Sequence, residues 1–226
     1  MLVARREDRL RTLADRLGGE TELCDVADRA AVDAMAARVL GRHAAVQLLV
    51  NNAGMPARGT YLEVEPELVQ RVMEVNYLGG VWCTRAFMPG LEAAAAQGGA
   101  HVVNLVSVAG TVAFAPAGAY AASKHAQLAF SRSLAAALRG SGILVHSVLP
   151  GFVETEGFPQ RNVLGSRLMR RFVIEPDEVA QKIVLAVEKR KGEIVVPWFP
   201  YRLVGVLQAL APGLVSRFVG VSDYKR

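Results

Sequence analysis

Two cysteines, Cys24 and Cys83, are all that 226 residues contain, which excludes a disulfide framework and points to a reduced, cytoplasmic protein. Long hydrophobic runs are scarce as well. The opening MLVARREDRL lacks the apolar core of a signal peptide. A stretch free of Asp, Glu, Lys and Arg covers residues 93–123, but Asn104, Gly110, Pro116 and Gly118 break it into strand, loop and helix start, so it is no membrane span. Blocks of like charge are missing too. The net charge is +5, yet the arginines are scattered, which suits an anionic cofactor or a membrane surface and argues against nucleic acid. His101, His125 and His146 show no metal-ligand spacing, so no metal is expected and they read as packing or surface residues. Neither an internal repeat nor a low-complexity linker divides the chain. At 52% hydrophobic, it carries enough apolar side chains for one sizeable core.

What is present is alternation. Short β-rich runs at Leu2–Ala4, Thr21–Cys24, Val46–Val50, His101–Val106, Ile143–Leu149 and Glu193–Val196 are separated by helical patterns at Asp8–Leu17, Asp28–Leu40, Pro66–Met88, Ala119–Leu138 and Pro176–Lys189. That is the signature of parallel βαβ units. Gly18-Gly19 stops the first helix, Pro66 and Pro176 open later ones, and Val32, Met35 and Val39 share one helix face.

The chemistry is concentrated in AYAASKHAQLAF. Tyr120 and Lys124 lie one helical turn apart, and Ser107 ends an apolar run thirteen residues upstream of the tyrosine. A free phenol titrates at about 10, too high for a base at neutral pH. A lysine at i+4 brings positive charge beside it and favours the phenolate. Tyr120 is then suited to exchange a proton with an alcohol or carbonyl oxygen, with Ser107 bonded to the same atom.

The ordered motifs NNAG at 51–54, MEVNYLG at 73–79, NLVSVAG at 104–110, YAASK at 120–124 and PGFVET at 150–155 together closely resemble the short-chain dehydrogenase/reductase family, from about residue 2 to about residue 197. The resemblance implies a doubly wound α/β sheet of Rossmann type over residues 1–197, with 198–226 as a C-terminal extension. It implies a small-molecule alcohol or carbonyl as substrate and hydride exchange with a nicotinamide dinucleotide. Asn51, Ala53 and Gly54 would approach the adenosine ribose, and Asp25 the adenine. Pro150 and Gly151 would form the turn over the nicotinamide, with the Val153 backbone and the Thr155 hydroxyl on its carboxamide. Lys124 would also bond the nicotinamide ribose beside Tyr120. Asn76, a mediocre helix former inside Pro66–Met88, would mark a local kink and hold a water that links to the lysine. In isolation Asp25 reads more often as a helix cap than as a ligand, NNAG more readily as an ordinary Asx/Gly turn, and PG merely as a turn.

Arg5 and Arg6 bear on cofactor choice. NAD sites usually end this strand with a carboxylate for the ribose hydroxyls, and none stands here. A guanidinium grips a 2′-phosphate through two parallel bonds, so NADP is favoured, with NAD as the alternative. The bland reading of the pair is two solvated charges opening a helix.

Residues 156–174 fall where the family places its substrate lid and mix Phe158, Leu164, Leu168, Met169 and Phe172 with four arginines, a pattern that suits equally a mobile apolar lid and an amphipathic surface helix. The tail from Pro197 is apolar and almost free of acids, interrupted by Pro200 and Pro212. Three readings compete for it: a peripheral membrane contact, a subunit contact, or a cap over an apolar substrate pocket. The family commonly forms dimers or tetramers through the two long helices.

One piece of the pattern is not in this sequence. The family's glycine-rich TGxxxGxG turn is expected upstream of Leu2, and the sequence opens at what reads as the second strand. The sheet is then expected to lack the strand between those ending at Ala4 and Val50, leaving about 30 residues of one βα unit unaccounted for and two edges unpaired, unless Leu2–Ala4 pairs directly with Val46–Val50. Two explanations stand: a longer working enzyme, which the intact Ser-Tyr-Lys set favours, or a truncated relative that binds the dinucleotide weakly and serves as a dimerising or membrane-associated scaffold.

Overall fold

A computed structural model describes residues 1–113, 115–156, 160 and 169–219. The chain alternates strand and helix as β1 Leu2–Ala4, α1 Glu7–Leu17, β2 Thr21–Leu23, α2 Arg29–Arg42, β3 Leu48–Asn51, α3 Pro66–Met73, α4 Gly79–Ala95, β4 Ala100–Leu105, α5 Gly118–Ala137, β5 Ile143–Pro150, α6 Pro176–Glu188, β6 Glu193–Val196, α7 Tyr201–Leu210 and α8 Pro212–Val219. Every strand pair is parallel. The extension after Pro197, assigned no structure from the sequence, holds α7 and α8.

Local chemistry sets the boundaries. Gly18 ends α1 in the left-handed region at φ 63°, where a side chain would be strained. The Asp28 carboxylate caps α2 by accepting from the Ala31 N–H at 3.1 Å, one residue inside the expected start. Pro176 opens α6 behind a capping box between Glu175 and Glu178. The helix expected to run from Pro66 to Met88 instead reaches Ala95 and is interrupted by a π-helical turn, Glu74–Leu78, between α3 and α4.

The strands form two separate sheets, β1–β2 and β3–β4–β5–β6. The direct pairing of Leu2–Ala4 with residues 46–50 does not form. The facing edges of β1 and β3 instead line a cavity of about 1160 Å³, roofed by Met35, Val39, Cys83 and Phe87. Val3, Leu48 and Val50 are exposed at those edges.

Helices cover both faces of the larger sheet. On one, Val32, Met35 and Val39 of α2 pack with Cys83 and Phe87 of α4, and the expected face of α2 is the buried one. Beside them Leu91 and Ala94 meet Val102 and Val145. On this same face Leu128 of α5 packs on Val106 and Leu149, and on the other face Val179 of α6 packs on Val103 and Val148. A buried polar ladder crosses the sheet. Asn51 Nδ2 donates to Thr84 Oγ1 at 3.0 Å and Asn104 Oδ1 at 2.8 Å, while Asn104 Nδ2 donates to Ser131 Oγ at 2.9 Å. Such a ladder pins strand register, because a one-residue slip would strand each amide without its partner. At the opposite end of the sheet His146 Nδ1 donates to the Lys191 carbonyl at 2.8 Å, and its Nε2 lies 2.9 Å from His101 Nδ1 as acceptor. The two rings also stack, with centroids 5.2 Å apart.

Candidate active site

The carboxyl ends of β3, β4 and β5 converge with the start of α5, the place where open α/β sheets take ligands. Lys124 is its centre. The side chain is only 4% exposed, and Nζ donates to the Leu105 carbonyl at 2.9 Å and to Gln127 Oε1 at 2.8 Å. Two of its three N–H donors are thereby taken among the described residues, and a third remains. Nζ stands 5.8 Å from the centroid of the Tyr120 ring, so the i+4 spacing does bring the cation against the half-buried phenol. Burial pushes the Lys124 ammonium from 10.5 down to about 7. Its charge at neutral pH therefore depends on what else occupies the site.

Asn76 lies in the π-helical turn and is 1% exposed. Its Oδ1 accepts from the Met55 N–H at 2.7 Å, and Nδ2 donates to the Met55 carbonyl at 3.0 Å and Ser123 Oγ at 3.0 Å. The asparagine thus clamps the 52–55 loop to α5. Where the sequence suggested a local kink, the structure has a widened, π-helical turn. A Cβ built on Gly54 would stand 3.6 Å from Asn76 Oδ1 and 3.8 Å from Lys124 Nζ, so the three residues enclose one small space.

Ser107 sits between β4 and a 3₁₀ turn, Val108–Gly110. Its Oγ accepts from the Ala109 N–H at 3.1 Å and donates to the Pro150 carbonyl at 3.4 Å, tying the serine to the Pro150–Gly151 turn. Gly110 lets this loop reach α5, since a Cβ there would fall 2.8 Å from the Lys124 carbonyl oxygen. Beyond the turn, Val153 bridges Ile174: the Ile174 N–H donates to the Phe152 carbonyl at 2.9 Å and the Glu154 N–H to the Ile174 carbonyl at 3.0 Å. Strand alternation then turns the Val153 N–H and C=O to the opposite side. Thr155 is half-buried close by.

The outer residues form a second group. Asp25 Oδ1 accepts from the Ala27 N–H at 3.0 Å, and its Oδ2 accepts from Arg71 and lies 3.7 Å from Arg5. Burial works to raise this carboxyl, but the bonds from Ala27 and Arg71 outweigh it and hold it below the ordinary carboxylate range. Arg5 keeps 58% of its side chain exposed. Asn51 turns its amide nitrogen into the polar ladder, so Asn52, Ala53 and Gly54 are what the loop presents outward. The cavity between β1 and β3 is lined by Arg5, Asp25 and 51–54, and it meets the lysine group only through Gly54, Asn76 and Gln127. Most of the expected lid, at 157–159 and 161–168, lies outside the described residues.

Gln127 and Arg71 went unnoticed in the sequence. Gln127 was legible, one turn beyond Lys124 on the same helix face. Arg71 gave no signal, because its partner Asp25 is 46 positions away.

Fold and site together define a Rossmann-type oxidoreductase domain. The short chain dehydrogenase family model matches residues 1–163. The chain is 35% identical over 201 residues to dehydrogenase/reductase SDR family member 7B of Bos taurus, a match that covers 86% of this chain and 61% of that protein's length. Among solved structures, a short chain dehydrogenase/reductase from Burkholderia phymatum in complex with NAD superposes with TM-score 0.80 at 27% identity, over 94% of this chain and 85% of that one. A short chain dehydrogenase from Burkholderia cenocepacia J2315 in complex with NADP gives TM-score 0.79 at 26% identity, over 96% and 84%. The chain belongs to the short-chain dehydrogenase/reductase family of oxidoreductases.

Proposed function

We propose that this protein is an NADP-dependent oxidoreductase that interconverts an alcohol and a carbonyl through Ser107, Tyr120 and Lys124. The observation that carries the reading is Lys124: a buried ammonium against the Tyr120 ring, beside Asn76 and Gly54, with one donor to spare. A lysine desolvated this far is costly unless a ligand completes its bonding.

The residues present fit a nicotinamide dinucleotide. Gly54 leaves room that a side chain would fill, and the third Lys124 N–H suits a ribose hydroxyl. Pro150, Gly151 and the Val153 backbone stand where a flat carboxamide ring needs a wall and a donor–acceptor pair. Arg5 and Asp25 flank the outer end, and Arg5 supports the choice of NADP because a 2′-phosphate would compete for it more strongly than Asp25 at 3.7 Å. When bound, the cofactor supplies or accepts the hydride. Tyr120 moves the proton at the substrate oxygen, and Ser107 donates a bond to that same oxygen. Lys124, charged once the ribose and phenolate face it, lowers the tyrosine pKa. Asn76 holds the 52–55 loop so that a water can connect the lysine to solvent. An apolar substrate is favoured by the aromatic side chains of Phe152, Phe172 and Phe199 beyond the Gly151 turn.

A fluorescence titration tests this. NADPH should show saturable binding that is tighter than that of NADH, and Arg5→Ala should erase most of the difference. Equal affinity for both cofactors before and after the substitution makes Arg5 structural and removes the NADP assignment.

One observation favours a second reading, a scaffold without turnover: the edges of β1 and β3 stay apart across the cavity that the outer cofactor-binding residues line. Absence of any saturable NADPH signal would favour it.

A further inference from the structure

The C-terminal helix α7 has no role in the chemistry above, yet its first residue touches the turn on which that chemistry depends. We propose that Tyr201 is a positioning residue: its ring fills the space left by the missing side chain of Gly151, and α7 thereby sets the conformation of both the Pro150–Gly151 turn and the Ser107 loop. The inference rests on the oxidoreductase reading for its consequence, not for its geometry.

Three sets of contacts carry it. A Cβ built on Gly151 would fall 2.1 Å from Tyr201 Cε2 and 2.5 Å from Cζ, so the ring lies directly on the glycine backbone. Tyr201 is correspondingly 7% exposed. Its ring also packs edge-on to Phe152, with centroids 6.1 Å apart at 74°. One turn later on α7, a Cβ on Gly205 would stand 3.0 Å from Thr111 Oγ1, and Thr111 Oγ1 donates to the Val108 carbonyl at 2.9 Å. The helix therefore presses on the Pro150–Gly151 turn through Tyr201 and on the end of the Ser107 loop through Gly205. Those two loops are already joined by the Ser107 bond to the Pro150 carbonyl. Finally, the Tyr201 hydroxyl lies between the two ends of the segment that follows the turn: it donates to the Phe172 carbonyl at 3.3 Å and accepts from the Phe152 N–H at 3.5 Å.

Magnitudes decide which part of the tyrosine matters. Both hydroxyl contacts are longer than the usual range of about 2.7–3.2 Å, so they are weak. The ring contact with Gly151 is as close as packing allows, and interiors transmit displacements because they are close-packed. Ring packing, not the hydroxyl, holds the turn. Burial keeps that hydroxyl protonated to about pH 12, so the contact does not change over any working pH.

A double-mutant cycle tests the claim on the full 226-residue chain. The variants are Gly151→Ala, Tyr201→Ala, the double substitution, and Tyr201→Phe. Two quantities are read: hydrogen exchange of the amides of 151–154 and 107–111, and the NADPH dissociation constant. Gly151→Ala alone should speed exchange in both segments at least tenfold and weaken NADPH by a similar factor. Adding Tyr201→Ala should recover much of the loss, because the new methyl group enters the space the ring has left. Tyr201→Phe should match the wild type in both readouts, which also shows that the fold tolerates change at this position. Additive losses in the double variant, or a Tyr201→Phe as damaging as Tyr201→Ala, would overturn the assignment. If exchange follows the cycle while no form binds NADPH, the brace stands and the oxidoreductase reading falls.

Discussion

At the scale of the residue, the site is a small number of side chains centred on Lys124, whose protonation is set by burial. Tyr120→Phe removes the one hydroxyl able to pass a proton to the substrate, and turnover should fall by about 10²–10⁴-fold while NADPH affinity stays close to wild type. Lys124→Ala should damage both, because it takes away a ribose donor as well as the charge beside the phenol. The lysine also leaves a signature in the unliganded protein. Its ammonium titrates at about 7 in the fold and 10.5 unfolded, so between those values the unfolded chain binds more protons than the native one. Stability should then rise as pH climbs from about 7 towards 10.5, and the burial penalty is felt in full below 7. Lys124→Met should flatten that slope in thermal melts; an unchanged slope would assign the pH dependence to other groups. Cys83, pushed up to about 12 by burial, and the buried Cys24 should resist thiol reagents until the chain unfolds.

At the scale of the element, the close approach of loop to helix is what brings these residues together. Gly110 admits the Ser107 loop to α5 at a place where a Cβ would sit 2.8 Å from backbone. Gly110→Ala should therefore cost about 1–3 kcal/mol and lower turnover beyond what the lost stability explains. Element order was plain in the sequence because the periodicity of β-runs and helices is a local signal. The i+4 spacing of Tyr120 and Lys124 was local too. The π-helical turn at 74–78 was visible only as an asparagine out of place. Its shape follows from Met55 and Ser123, which meet Asn76 only in the folded chain. Gln127 was readable from its spacing and Arg71 was not. Tyr201 could not be connected with Gly151, because no pattern in one sequence joins positions 50 apart across a helix and a strand.

At the scale of the whole molecule, two features lie outside the chemistry. No helix among the described residues is long and apolar enough to cross a membrane. Helix α7 nonetheless exposes Leu203, Val206, Leu207 and Leu210 at i, i+3, i+4 and i+7, one apolar stripe, and α8 exposes Leu214, on a tail with more arginine and lysine than acid. We propose that this surface makes peripheral contact with anionic lipid. Wild-type protein should co-sediment with phosphatidylglycerol vesicles, and Leu210→Glu with Leu214→Glu should abolish that without lowering the melting temperature. The second feature is the cavity between β1 and β3, whose exposed edges offer the outward N–H and C=O groups of Val3 and Leu48 to no strand. Affinity for NADPH is expected to be weak while that space stays open, and turnover must be measured with the cofactor near saturation.

The central claim is that Tyr120, set against Lys124, passes the proton in a hydride transfer between NADPH and a carbonyl. It is tested most directly by following NADPH consumption with a panel of apolar aldehydes and ketones, wild type beside Tyr120→Phe, both shown to be folded and cofactor-bound. The account predicts consumption by the wild type with at least one carbonyl and its loss, by about 10²-fold or more, in the variant. Equal rates for the two proteins, or no consumption by a wild type saturated with NADPH across the whole panel, would contradict it.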